Sequence, residues 1–158
     1  MGAGHGQYNY LFPHFNAAYK EILKWLTRQN NQILIIEQSG EYALKPLEIN
    51  EVVVAHVHNP YDRERTTFYL EYRKPIGFDK SYPVDNDQGI LINWLYKPLV
   101  TRLLDMTPDD KDNWLKVALL PQKTFVDELS GITVQNLGTD PSKSELHFSI
   151  DINTSCIE

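Results

Sequence analysis

The sequence predicts a mainly β protein: an antiparallel β-sandwich preceded by one amphipathic N-terminal helix. Three observations predict it. A helical period is confined to residues 1–30, short alternating β-branched runs follow, and Gly, Pro, Asn and Asp punctuate those runs without a second helical period.

The helix comes first. Tyr19, Ile22, Leu23 and Leu26 recur at i, i+3, i+4 and i+7, with Phe15 and Trp25 beside them, so residues 16–28 should form one amphipathic helix. Asn16 is a fitting N-cap, Lys24 and Arg28 suit the negative end of the helix dipole, and the pair Asn30-Asn31 ends the segment. From there the period falls to two. Strands are expected at 32–38, 41–47, 51–58, 66–73, 89–95, 115–119, 131–136 and 145–152. The stretch "TTFYLEYRK" shows the alternation best. Phe68, Leu70 and Tyr72 should face the core, and Tyr69, Glu71 and Arg73 a polar, aromatic surface. Strands of this length with no helices between them favour antiparallel pairing in a sandwich over a parallel sheet. Residues 74–88, with two prolines and three aspartates, make a long loop, and Thr107-Pro108 opens another with a short helical turn expected through Asp112. The organisation is a helical segment, 1–30, and a sandwich domain, 31–158.

Composition narrows the function classes. The net charge of −6 and the absence of any run of lysine and arginine leave no electrostatic footprint for nucleic acid or an anionic membrane. The longest apolar runs, such as "VVVAHV", are far short of a membrane span. A single cysteine, Cys156, rules out an internal disulfide and any zinc site built on two cysteines.

Candidate chemistry is sparse. The opening "GAGHG" lacks the strand before it and the helix straight after it that a phosphate loop requires. His56 and His58, two apart on one strand, project from one face and match two ligands of a zinc or copper site; the competing reading is a pair of histidines ending a strand at Asn59-Pro60. Asp85 and Asp87 in "DNDQG" have the rhythm of a calcium loop, and Asp79, Asp109, Asp110 and Asp112 are further donors for a composite site. No glutamate closes an EF-hand, and a solvated acidic turn explains the same residues. Glu71 and Arg73 share a strand face and are expected to make a structural ion pair. Tyr69, Tyr82 and Trp94 are candidate exposed aromatics for binding a glycan or a protein. No histidine heads an H-E-x-x-H and no G-x-S-x-G occurs, so no catalytic constellation is legible.

Several phrases in a fixed order nevertheless carry a resemblance. "MG", "HFNAAYKEILKWL", "FYLEYRKPIGFD", "GILI", "LLDMTP" and "KTFVDELSGITV" together resemble the region downstream of the zinc site in gametolysin-like metallopeptidases, which are metzincins. The resemblance covers most of the chain. It implies that Met1 and Gly2 match the Met-turn, and that His14, Phe15, Asn16, Lys20, Trp25 and Leu26 match the helix closing the catalytic domain. It further implies that Glu71, Tyr72, Arg73, Gly77, Phe78 and Asp79 match an "EYR…GFD" signature of the following β domain, and Gly131, Ile132 and Thr133 a "GIT" near its end. Two departures stand out. Lys24 occupies the place where the family helix usually has glycine, and the three zinc histidines and catalytic glutamate have no counterpart.

On this reading, residues 1–30 are a Met-turn-like segment and closing helix of a truncated catalytic domain. The chain is the non-catalytic C-terminal β-sandwich region of a secreted zinc metallopeptidase, inactive as it stands. It would buttress the catalytic domain or bind a protein or glycan substrate. Zinc would belong to the full-length protein and calcium to an optional acidic site, and the partner would be the missing N-terminal catalytic portion. The helix's apolar face should then be partly exposed, repacked on the sandwich, or buried in an oligomer. The rival reading is a stand-alone β-sandwich module binding carbohydrate or protein.

Overall fold

A computed structural model describes residues 15–47, 49, 51–79, 88–97, 99–109 and 116–154. The chain order is α1 (Ala17–Ile22), β1 (Ile33–Ile36), β2 (Gly40–Leu44), β3 (Val54–His58), β4 (Thr67–Tyr72), β5 (Ile90–Lys97), β6 (Val100–Leu103), β7 (Thr124–Asp127), β8 (Ile132–Asp140) and β9 (Glu145–Ile152). The strands form a five-stranded sheet, β1-β3-β4-β5-β6, and a four-stranded sheet, β2-β9-β8-β7. The protein is mainly β, as expected from its period-two runs.

The inner faces of the two sheets make the principal core. Ala55, Val57, Phe68, Leu70, Tyr72, Ile90 and Ile92 of the larger sheet meet Leu44, Ile132, Val134, Leu146, Phe148 and Ile150 of the smaller. The alternation along β4 puts Phe68, Leu70 and Tyr72 on that face, and complete burial of each such side chain stabilises the fold by about 2 kcal/mol. Gly131 takes φ +67°, and a Cβ there would lie 3.1 Å from the Asn153 carbonyl and 3.3 Å from Asn59 Nδ2. Asn59 Nδ2 itself donates to the Ser130 and Asn153 carbonyls, at 2.8 and 3.1 Å, which ties the end of β3 to the opposite sheet.

The structure corrects several expectations. One pairing is parallel: β1 runs beside β3, Ile33 opposite Val54 through Ile36 opposite Val57. The crossover between them is made by β2, which lies in the other sheet, so no helix is needed to return the chain. The strand expected at 115–119 reduces, over its described residues, to a single bridge between Leu119 and Ile90. β6 and β7, each four residues, were not expected from the sequence. The expected turn after Pro108 and most of the 74–88 loop lie outside the described residues, although a 3-10 turn forms at Gly77–Asp79.

The helix is also shorter than its periodicity. Asn16 caps it as expected, its Oδ1 accepting from the Tyr19 amide at 3.0 Å. It ends at Ile22 because Lys24 adopts φ 60°: the Lys24 amide donates to the Glu21 carbonyl at 2.9 Å and the Trp25 amide to the Lys20 carbonyl at 2.8 Å. This pair of bonds is the Schellman stop, and Lys24 holds the left-handed place that glycine takes at lowest cost. The face that docks differs too. Ala17 and Ala18 are fully buried and pack with Leu26 against Val53, Val54 and Tyr69, whereas Ile22, Leu23 and Trp25 stay exposed. Alanine lets a short helix approach the sheet closely; the larger apolar stripe is left outward.

Candidate functional site

The helix covers the outer face of the larger sheet, and beneath it lies a buried polar cluster. Tyr69, Glu71 and Arg73 alternate outward from β4, but this face is not the polar surface the alternation suggested: they are 5%, 1% and 3% exposed. Tyr69 is therefore not an exposed binding aromatic. Its hydroxyl donates to Glu21 Oε2 at 2.7 Å, and burial with that bond pushes the phenol well above its usual range.

The centre of the cluster is Arg73. Its Nε donates to Glu71 Oε1 at 3.0 Å, Nη1 to Asp79 Oδ2 at 3.2 Å, and Nη2 to the Phe15 carbonyl at 3.0 Å. The other oxygen of Glu71 accepts from the Ala17 amide, the first of the helix, at 2.6 Å. The expected Glu71–Arg73 pair thus exists, but as part of a larger bond set closed by Asp79, which is fully buried. Gly77 supports it with φ 57°, in the 3-10 turn that brings Asp79 back onto the strand it follows. Chemically the cluster is a latch. Each carboxylate is committed to the same guanidinium, Glu71 also caps a helix amide, and burial closes the group to substrate. Asp79, expected as a donor to a composite calcium site, here accepts from Arg73 Nη1.

A second polar contact lies beside the latch. Asn16 Nδ2 donates to Thr101 Oγ1 at 2.9 Å and reaches Asn93 Oδ1 at 3.4 Å, which ties the helix cap to β5 and β6. Nothing in the sequence marked Asn93 or Thr101 for this role; the signal is only that both lie on the outward-facing set of their strands.

His56 and His58 share the outer face of β3, with ring centroids 5.7 Å apart. Each is already engaged. Arg28 Nη2 lies 3.3 Å from His56 Nδ1, His56 stacks on Tyr69 at 4.9 Å, and His58 Nε2 is 3.0 Å from Glu37 Oε1. Burial, opposed by Glu21 and reinforced by Arg28, lowers the His56 pKa to about 4. Arg28 thus occupies one ring nitrogen of His56 and Glu37 one ring nitrogen of His58. Among the described residues no three His, Cys, Asp or Glu side chains converge to hold a metal ion.

Of the other sequence candidates, Met1, Gly2, Tyr82, Asp85 and Asp87 lie outside the described residues. Trp94 is half-buried, packed against the core at one edge and against Tyr96, ring centroids 5.1 Å apart, at the other. Two clefts open elsewhere. One of about 450 Å³ lies between the sheet edges at Leu34, Ala43 and Val52, with Lys45 paired to Glu145 at its rim. Another of about 390 Å³ is lined by Met106, Pro108, Leu119 and Lys123. Of the sequence candidates, only Asp109 lines either cleft, in the wall of the second.

Comparisons with protein families, with curated proteins and with solved structures return no match to this chain.

Proposed function

We propose that the chain is a non-catalytic region of a secreted gametolysin-like zinc metallopeptidase: the helix that closes the catalytic domain, held on the β-sandwich that follows it. One observation carries this reading. The residues on which the resemblance rests meet in one latch although they come from distant phrases: Phe15 and Ala17 from the helix phrase, Glu71, Arg73 and Asp79 from "EYR…GFD". A signature that encodes a buried brace between helix and sandwich suits a supporting role, transmitting no chemistry of its own. The departure at Lys24 agrees with it. Where the resembling helices usually carry glycine, this backbone has the left-handed φ that favours glycine.

In this reading zinc and its ligands belong to the preceding catalytic portion. This chain contributes the seating of that portion's last helix. The test is the genomic frame upstream of the Met1 codon. An open frame encoding H-E-x-x-H-x-x-G-x-x-H is expected, and an in-frame stop directly before a ribosome-binding site would overturn the proposal. The purified 158-residue chain should leave casein uncut with or without added zinc.

A further inference from the structure

At the far edge of the larger sheet, β5 and β6 form a hairpin that is basic and ends in exposed apolar side chains. Residues 90–104, "ILINWLYKPLVTRLL", contain no acidic residue in a chain of net charge −6, and their two cations are Lys97 and Arg102. Both cations gather on one ring: Arg102 Cζ lies 4.1 Å and Lys97 Nζ 5.2 Å from the centroid of Tyr96. Neither forms an ion pair with a described carboxylate, so among the described residues the two like charges have no counter-anion. Stacking fixes the guanidinium plane while leaving its N–H edge free for an oxyanion.

The strand carrying Arg102 is also the last strand of its sheet. Among the described residues β6 pairs only with β5, and Val100 and Leu103 on it are 43% and 47% exposed. Its side chains alternate: Arg102, opposite Trp94, lies on one face, and Leu103, opposite Asn93, on the other. A ligand matching all three features supplies backbone hydrogen bonds, anions on one face and apolar groups on the other.

We propose that β6 is a β-augmentation site for an extended polypeptide in which acidic and apolar residues alternate. The acids would meet Arg102 and Lys97, and the apolar side chains would extend the surface of Leu103. The edge strand's backbone row favours a peptide over an acidic glycan, which can answer the cations but not the strand. The inference does not depend on the peptidase reading, since it uses only this hairpin.

The experiment is fluorescence polarisation of the 158-residue chain with a labelled peptide alternating glutamate and valine. Saturable binding is expected, weakened by salt, and lowered about tenfold by Arg102→Gln, whose exposed position leaves folding intact. N-methylation of alternate peptide amides should abolish binding. Equal affinity for a lysine-valine peptide, indifference to N-methylation, or tighter binding of an oligouronate than of the peptide would each overturn the proposal. So would sedimentation as a dimer that dissociates on Arg102→Gln, which would make a second copy the occupant. If Lys97 and Arg102 serve only to keep the edge unpaired, the double variant Lys97→Gln/Arg102→Gln will self-associate while the original chain binds no peptide, and the proposal fails.

Discussion

Arg73 and Arg102 both project from the larger sheet, yet they sit in opposite circumstances. Arg73, on the helix-covered face, is 3% exposed and shared among Glu71, Asp79 and the Phe15 carbonyl; Arg102, on the edge strand, is exposed and, among the described residues, meets only aromatic rings. The difference teaches what each arginine is for. A guanidinium taken out of water is tolerable only when its donors are answered, so Arg73 must be part of the fold. One left in water costs little to keep unpaired, so Arg102 is available to something outside it.

The sharpest way to break this comparison is to remove the buried partner. Arg73→Met leaves Glu71 and Asp79 buried without their cation and should cost about 3–5 kcal/mol, read as a fall in the denaturant midpoint. If the loss is no greater than for Arg102→Met, the latch is not a stabilising element.

Acid provides the next largest effect, on the same covered face. His56 has its pKa lowered from 6.5 to about 4 in the folded chain, so the unfolded chain binds the extra proton first as pH falls. The stabilising difference is therefore complete above about pH 6.5 and is lost as pH falls to about 4, amounting to at most about 3 kcal/mol. Replacing His56 by Gln should flatten the stability profile across that window. An unchanged slope would assign the acid sensitivity to other groups.

A smaller change tests the helix stop. Lys24→Gly should raise stability by about 0.5–1 kcal/mol, because glycine enters φ 60° without the strain a side chain brings there. A destabilised variant would mean that the Lys24 side chain is worth more than the backbone relief. The smallest effect is at the sheet edge: Arg102→Ala should alter the unfolding free energy by less than about 0.5 kcal/mol, consistent with an exposed residue spared for binding. A large loss there would make the hairpin cations structural after all.

Legibility in the sequence followed the physics of each element. β4, β8 and β9 were readable because their alternating apolar positions are buried against the opposite sheet; β6 and β7 were not, since four-residue edge strands with exposed side chains carry little alternation. The helix was over-read because its apolar period continues past Ile22, while the residue that stops it is a lysine in a glycine conformation. Of the latch, only the Glu71–Arg73 pair was visible, through shared strand parity. Asp79 joins it through a turn, and the Phe15 carbonyl and Ala17 amide join it only when the helix docks.

The sequence by itself determined a β-rich chain with one capped N-terminal helix, because capping and alternation are local consequences of side-chain chemistry. Only the tertiary structure decided that β1 and β3 run parallel, that the polar face of β4 is buried, and that Lys97 and Arg102 gather on Tyr96 at the sheet edge. Each depends on which distant segment covers a face. That is settled by packing between elements and leaves no periodic trace in the chain.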